Sequence, residues 1–381
     1  MPIYKMKGSK DGKQKYRVRI NYIDNLGNNR QTDRVAYGMS EAKDLERRMQ
    51  YEIKEQTPAV RMTLNTLCDE YLDNSKSELR ESTLEKTRTN LDIYVKKICG
   101  NTALNKLTVP FLQKWKNEIE NCTSTKTHEP LSVTTKQNIY SYFRALLNYA
   151  VKMEYIPANN LTKLGNFKDK NCIDSKKEMD YYTTDEYKKF SSAALFIAKN
   201  SGKFVDWDYY VFFSIAFYTG LRKGEIFALK WSDINGDFLS VTRSITQKLK
   251  GDDRETPPKN KSSIRTLQMP KPLIKILNAH KERYKSYPNF TDDFRICGGI
   301  KPIRDSSVSK ANEKFAKAAG IKKIRIHDFR HSHVSLLANE GINIQEIARR
   351  LGHANIEMTW NTYSHLYPRE EERAVEILNK I

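Results

Sequence analysis

Four short stretches in the second half of the chain hold residue types that can act together on a phosphate ester. The first is Thr219-Gly220-Leu221-Arg222-Lys223-Gly224-Glu225, where two glycines bracket an arginine directly after an apolar run. A tight turn there holds a guanidinium at a helix edge, shaped to fork onto a phosphate. Glu225, three residues on, is placed to orient Arg222. The second is His327-Asp328-Phe329-Arg330-His331-Ser332-His333. At a helix start, His327 and Arg330 project from one face, an imidazole and a guanidinium able to hold a phosphate and manage a proton. The third is Leu351-Gly352-His353-Ala354 and the fourth is Asn361-Thr362-Tyr363-Ser364-His365-Leu366-Tyr367. Tyr363 lies ten residues past His353, near enough for a nucleophile. A phenol with an ordinary pKa near ~10 needs help to attack at neutral pH.

Other readings compete for the same residues. His327 and His331 have the spacing of a zinc pair, yet no glutamate follows the first histidine as the hydrolase motif requires. Residues 344–356 onward, with the turn at Gly352, also read as a helix-turn-helix that would only bind DNA. Trp360 and Phe329 are expected in the core, and His331 and His333 are expected to be structural. The five cysteines, Cys68, Cys99, Cys122, Cys172 and Cys297, include no Cys-x-x-Cys pair, so neither a zinc site nor a disulfide framework follows. No metal or other cofactor is called for.

The elements that must position these residues are legible in outline, as a multi-domain chain, mainly α with α+β parts. Tyr16, Val18, Ile20 and Tyr22 alternate with Arg17, Arg19 and Asn21, the period of a half-buried strand. The turn 24–28 returns the chain through Arg30 to Tyr37, and Ser40 is placed to cap a helix striped by Ala42, Leu45, Met49 and Ile53. Residues 1–58 thus predict a small three-stranded sheet plus helix, ended at Gln56-Thr57-Pro58, with Arg17 and Arg19 on its open face for a DNA groove. Residues 62–168 read as a four-helix module. Ser82 to Glu85 forms a capping box, Pro110 sits in a first turn, and Ser132 opens a long helix that ends near Glu154. Residues 166–179 are a polar linker. Residues 176–381 are mixed: helices from Thr184 and over Trp207 to Tyr218, then strands over Phe238–Thr246 and Ser263–Met269 joined by a polar connection.

Composition narrows the partners. With 66 Lys+Arg against 46 Asp+Glu, the net charge is +20 and every segment of the chain shares the excess. Such a balance points to a polyanion, most simply nucleic acid. A mean hydropathy of −0.71 argues against a membrane protein. The longest apolar run is about half of the ~20 residues a spanning helix needs. Met1 to Lys15 contains no secretory h-region, so a cytoplasmic protein is expected.

Taken together, these residues resemble the tyrosine recombinase (phage-type integrase) family, and the likeness runs the length of the chain. The match rests on Thr219-Gly220-Leu221-Arg222, His327-Asp328-Phe329-Arg330 and Leu351-Gly352-His353, in family order and followed by Tyr363. The resemblance implies an N-terminal domain for arm-type DNA sites, a SAM-like core-binding domain and a tyrosine-recombinase catalytic domain. It implies that Arg222, Arg330 and His353 hold the scissile phosphate, that His327 joins them as hydrogen-bond donor and proton carrier, and that Tyr363 attacks to form a 3′-phosphotyrosyl ester. A lysine on the β-hairpin would protonate the departing 5′ oxygen. Lys261 best fits that position and Lys259 is the runner-up. The implied protein is an integrase of a mobile element that integrates and excises DNA. It would work as a homotetramer on core-type and arm-type sites, with a possible accessory bending or excision factor and no cofactor. The segment after Tyr363, through Ala374 and Ile377, would pack on a neighbouring protomer or on its own domain. A relaxing topoisomerase of the same chemistry and a non-catalytic helix-turn-helix regulator are the rival readings.

Overall fold

The computed structural model describes residues 3–23, 29–55, 62–125, 127–169, 179–247, 253–256, 261–364, 375 and 378–379. The turn 24–28, the stretch 56–58, Lys259, most of the 166–179 linker, and Tyr367, Ala374 and Ile377 of the C-terminal segment lie outside the described residues, as does the side chain of Lys261. The chain divides into two compact units, residues 1–173 and 174–381.

The first unit begins with an antiparallel meander of β1 (Ile3–Lys10), β2 (Lys13–Ile23) and β3 (Asn29–Tyr37). Alternation along β2 sends Tyr16, Val18 and Ile20 to one face, where they pack with Ala36 under α1 (Met39–Glu55) through Ala42, Leu45 and Met49. Arg17 and Arg19 therefore occupy the opposite face. There they share Asp33 of β3, which sits directly across from Arg19 at 3.5 Å and lies 3.6 Å from Arg17. Helix α1 starts earlier than the sequence suggests. Gly38 already accepts the Ala42 N–H, so Ser40 is inside the first turn and does not cap it.

A separate core is built from helices α2 (Leu64–Asn74), α3 (Glu81–Leu91), α4 (Lys97–Cys99), α5 (Val109–Asn121) and α6 (Val133–Lys152). Thr63, Thr108 and Ser132 each cap a helix by accepting a backbone N–H three residues on. The expected box at Ser82 is displaced. Backbone bonding begins at the Arg80 carbonyl, so Ser82 is a first-turn residue and α3 has no side-chain cap. A π-helical turn over Asp92–Lys96 joins α3 to α4. The Tyr94 carbonyl in that turn accepts the indole N–H of buried Trp115 at 2.8 Å. Trp115 also meets Phe143 edge-on at 4.7 Å. Cys68, Cys99 and Cys297 are buried thiols, and Cys122 is half-buried.

The second unit is organised around one helix. α7 (Thr184–Asn200) opens with a capping box between Thr183 and Glu186 and leads to α8 (Phe204–Thr219). α8 is apolar on nearly every side, so it runs through the centre and is packed by neighbours all round. α9 (Lys223–Ala228) follows directly. Then β4 (Ile234–Asn235), β5 (Phe238–Val241) and β8 (Arg265–Gln268) form an antiparallel sheet, while β6 (Ser244–Thr246) and β7 (Arg254–Thr256) form a separate hairpin. The single strand expected over 238–246 is thus two strands. It breaks at Thr242–Arg243, where the Arg243 guanidinium reaches Asp233 and Glu255, and the supposed polar connection contains β7. α10 (Lys271–Lys285), α11 (Asp305–Ala318), α12 (Asp328–Asn339), α13 (Ile344–Leu351) and α14 (Ile356–Tyr363) complete the unit. Phe190, Phe213 and Phe329 interlock at ring separations of 5.0–5.2 Å and fasten α7, α8 and α12 together. Among the described residues, no helix is long and apolar enough to cross a membrane.

Trp115 supplies both the largest buried side chain of the helical core and a buried hydrogen bond. Trp115→Ala is expected to destabilise this unit by about 3–5 kcal/mol. Trp115→Phe should cost less, and denaturant unfolding followed by circular dichroism measures both.

Candidate active site

Two distant turns of the second unit converge on one guanidinium. Arg330, in the first turn of α12, is 3% exposed. Its Nη1 donates to the Gly220 carbonyl at 2.7 Å, and its Nη2 donates to the Leu351 carbonyl at 2.9 Å. Nη2 also meets His353 Nε2 at 2.8 Å. Burial, and then the nearby charge of Arg222, lower Arg330 to about 9.

Two turns make this approach possible. Gly220 closes α8 in the left-handed region, with φ of 64°, and a Cβ there would lie 2.7 Å from the His333 ring. Gly352 closes α13 in the same conformation, with φ of 66°. A Cβ on it would lie 2.9 Å from the Arg265 guanidinium and 3.2 Å from the Ser262 carbonyl. The 3₁₀ turn Lys261–Ser263 thus runs against the turn that carries His353.

Arg222 caps the short helix α9 from just outside it. Glu225 accepts the Arg222 backbone N–H and its Nη1, each at 2.9 Å. Glu225 also accepts Nη2 of Arg265 at 2.9 Å, and Arg265 in turn donates Nε to the Arg350 carbonyl at 2.7 Å. Burial pushes the Glu225 carboxyl up, but Arg265 and Arg222 outweigh it and hold it below the usual carboxylate range. A single buried carboxylate therefore orders two arginines, and Arg222 stays more than a third exposed at the site's edge.

The histidines divide by role. His353 Nε2 faces a guanidinium and so acts as acceptor, which leaves Nδ1–H to donate to buried Thr359 at 2.8 Å. Burial and Arg330 lower His353 to about 4. His327 stands just before α12 and is exposed. Packing around its ring and the charge of Arg330 also lower its pKa. His333 is structural as expected: it bonds the Phe217 carbonyl at 2.8 Å, and burial lowers it to about 3.

Tyr363 is 2% exposed at the end of α14, in a small cluster with Val334, Ala338, Ile347 and Leu351. Burial pushes its phenol up to about 12, against the lowering influence of Arg330. Its hydroxyl meets Nδ1 of His331 at 2.7 Å. His331 therefore touches the candidate nucleophile, which a purely structural reading of that histidine did not include. Trp360, expected in the core, is 53% exposed. Thr359 and Tyr363, four residues apart, take the inward face of α14 and turn Trp360 outward. Arg265, Asp328 and Thr359 carried no role in the sequence reading, and His331 only a structural one. Only the position of His331, directly after the H-x-x-R box, could have signalled more. Arg17 and Arg19 belong to the first unit. Among the described residues, no group of three His, Cys, Asp or Glu side chains could hold a metal ion.

Residues 183–370 match the phage integrase family, and residues 63–169 match the phage integrase SAM-like domain. The integrase of ICEBs1 from Bacillus subtilis is 27% identical over 389 residues, covering 99% of both chains. A XerC-like tyrosine recombinase from Caldanaerobacter subterraneus is 30% identical over 275 residues, 66% of this chain and 67% of that one. The Tn1549 transposon integrase, solved with a circular intermediate DNA, shares the fold: its TM-score is 0.65 at 20% identity, over 84% of this chain and all of that one. The chain belongs to the phage integrase family of tyrosine recombinases, which are DNA strand transferases.

Two outcomes follow from this geometry. Glu225→Ala strands Arg265 as a buried unpaired cation and should cost about 3–5 kcal/mol in denaturant unfolding. His331, His333 and His353 have folded pKa values of about 4, 3 and 4, all below their ordinary value. In acid the unfolded chain binds protons that the folded chain refuses. The stability these histidines contribute is complete above about pH 6.5 and is lost as pH falls from there toward 4. The melting temperature should therefore drop between pH 7 and pH 5. His333→Asn, which keeps a donor for Phe217, should shrink the drop.

Proposed function

We propose that this protein is the site-specific DNA recombinase of a mobile genetic element, cutting and rejoining DNA through a 3′-phosphotyrosyl intermediate to integrate and excise it. The observation that carries the reading is the cluster around Arg330, in which His353 is bonded to the guanidinium and Tyr363 is buried close enough to feel its charge. A phosphodiester under attack becomes a trigonal bipyramid with extra charge on its oxygens. Arg222, Arg330 and the imidazoles stabilise that charge more than they stabilise the ground state. His353 can donate to the phosphate from Nε2 only by giving up its bond to Arg330, so substrate binding rearranges this pair. Tyr363 attacks, and Lys261 protonates the 5′ oxygen as it leaves, with Lys259 the alternative. The phosphotyrosyl ester keeps the energy of the broken bond, so a 5′-hydroxyl from another strand can reverse the attack with neither ATP nor metal nor other cofactor.

Residues 176–381 are assigned to this chemistry. The helical domain, residues 62–168, is assigned to clamping the backbone of core-type sites. The sheet of residues 1–58 is assigned to arm-type sites, with Arg17 and Arg19 as groove contacts that must first loosen from Asp33. Strand exchange aligns two duplexes, each cut on both strands, and this calls for four protomers on DNA. An accessory bending or excision factor and a cytoplasmic location fit this role.

The test is a nicked suicide duplex carrying the attachment site. A covalent protein–DNA adduct is expected, and Tyr363→Phe should abolish it. Arg330→Ala should slow adduct formation by about 10²–10³-fold, the usual effect of removing one transition-state donor. Binding without any adduct would favour the regulator, and adduct without strand exchange the topoisomerase. DNA affinity should fall steeply with salt, as counterion release requires. A flat dependence would contradict the role assigned to the net charge of +20.

A further inference from the structure

We propose that His331 is the base that takes the phenol proton from Tyr363 as it attacks, and the acid that returns it on rejoining. The inference rests on Tyr363 as nucleophile and adds the group that activates it.

The geometry is specific. His331 Nδ1 lies 2.7 Å from the Tyr363 hydroxyl, the distance of a direct hydrogen bond. Nε2 of the same ring faces Oδ1 of Asp328 at 3.9 Å. Asp328 is fully buried and is fixed by Arg325, whose backbone N–H and guanidinium both donate to it. A carboxylate on the Nε2 side favours the tautomer with its proton there. That leaves the Nδ1 lone pair to accept from the phenol. The other charged or titratable groups facing the ring are His327, stacked edge-on at 5.1 Å, and the guanidiniums of Arg325 and Arg330. The order nucleophile, imidazole, buried carboxylate is that of an activated hydroxyl in general.

In the resting state the proton stays on the phenol, because burial holds the phenol at about 12 and the imidazole at about 4. Transfer must therefore accompany bond formation. The phenol O–H bond breaks and its proton moves to Nδ1. The phenol oxygen forms the new O–P bond. The bond from phosphorus to the 5′ oxygen breaks, its electron pair leaves on that oxygen, and the general acid of the hairpin protonates it. Asp328 faces the imidazolium this creates. On rejoining, Nδ1 returns its proton to the departing phenol oxygen, so no net proton is consumed at Tyr363.

The experiment measures the single-turnover rate of adduct formation on the nicked duplex, with DNA affinity by gel shift and folding by thermal melt. His331→Asn is the informative variant: its amide can occupy the Nδ1 position and hydrogen-bond Tyr363, yet it cannot take a proton. His331→Ala removes both functions. Both variants should slow adduct formation by at least ~100-fold at pH 7, with unchanged DNA affinity. The deficit should shrink as pH rises from 7 toward 9 and the small phenolate fraction grows. A 5′-bridging sulfur leaves without a general acid, so it should rescue a variant of the hairpin lysine but not His331→Asn. A His331→Asn rate within threefold of the unaltered chain overturns the proposal. So does rescue by the sulfur substrate, or a loss fully explained by weaker DNA binding or a lowered melt. Absence of adduct with the unaltered chain overturns the recombinase reading and this one together, whereas a normal rate in His331→Asn overturns this one alone.

Discussion

Arg330 is a buried cation whose hydrogen bonds, among the described residues, go to two backbone carbonyls and a ring nitrogen, with no carboxylate among them. Burying such a charge is expensive unless its donors are all engaged. The carbonyls come from the ends of α8 and α13, so both helix ends must be brought to the first turn of α12. Much of the second unit follows from that requirement. Two glycines in the left-handed conformation let the helix ends turn there. The interlocked rings of Phe190, Phe213 and Phe329 hold α12 against α8 at the needed place. A phosphate entering the site would meet a positive charge that no described carboxylate bonds.

Glu225 solves a related problem differently. It spends its one negative charge on two arginines, the buried Arg265 and the more exposed Arg222. Arg265 is then free to support the turn at Gly352 from beneath, and that turn presents His353 to Arg330. Electrostatics and backbone geometry are thus one network. This is why the neighbouring imidazoles have lowered pKa values: each stands beside cations, in surroundings that penalise a further charge.

Tyr363, the proposed nucleophile, sits in its own small apolar cluster and meets His331. Burial keeps the phenol protonated, so the hydroxyl is unreactive until something removes its proton. In the chemistry proposed above, cations serve the phosphate and an imidazole the phenol, which separates stabilising charge from moving a proton. The two cores of the first unit, one under a three-stranded sheet and one around Trp115, are built separately.

The sequence by itself determined which residues have the right chemistry and which local elements carry them. Arg222, His327, Arg330, His353 and Tyr363 stand in short motifs, and turn glycines, capping residues and a fully apolar helix are all written in neighbouring positions. Those signals are local, so spacing of three or four residues suffices to read them. Where capping competed with backbone bonding, at Ser40 and Ser82, the reading slipped by a residue or two. Only the tertiary structure decided who faces whom. Arg265 lies on a strand 40 residues from Glu225, and His331 meets Tyr363 across 32 residues. Trp360 is exposed because its neighbours Thr359 and Tyr363 have partners on other elements. Contacts of that range depend on how helices cross and turn, and no residue spacing encodes them.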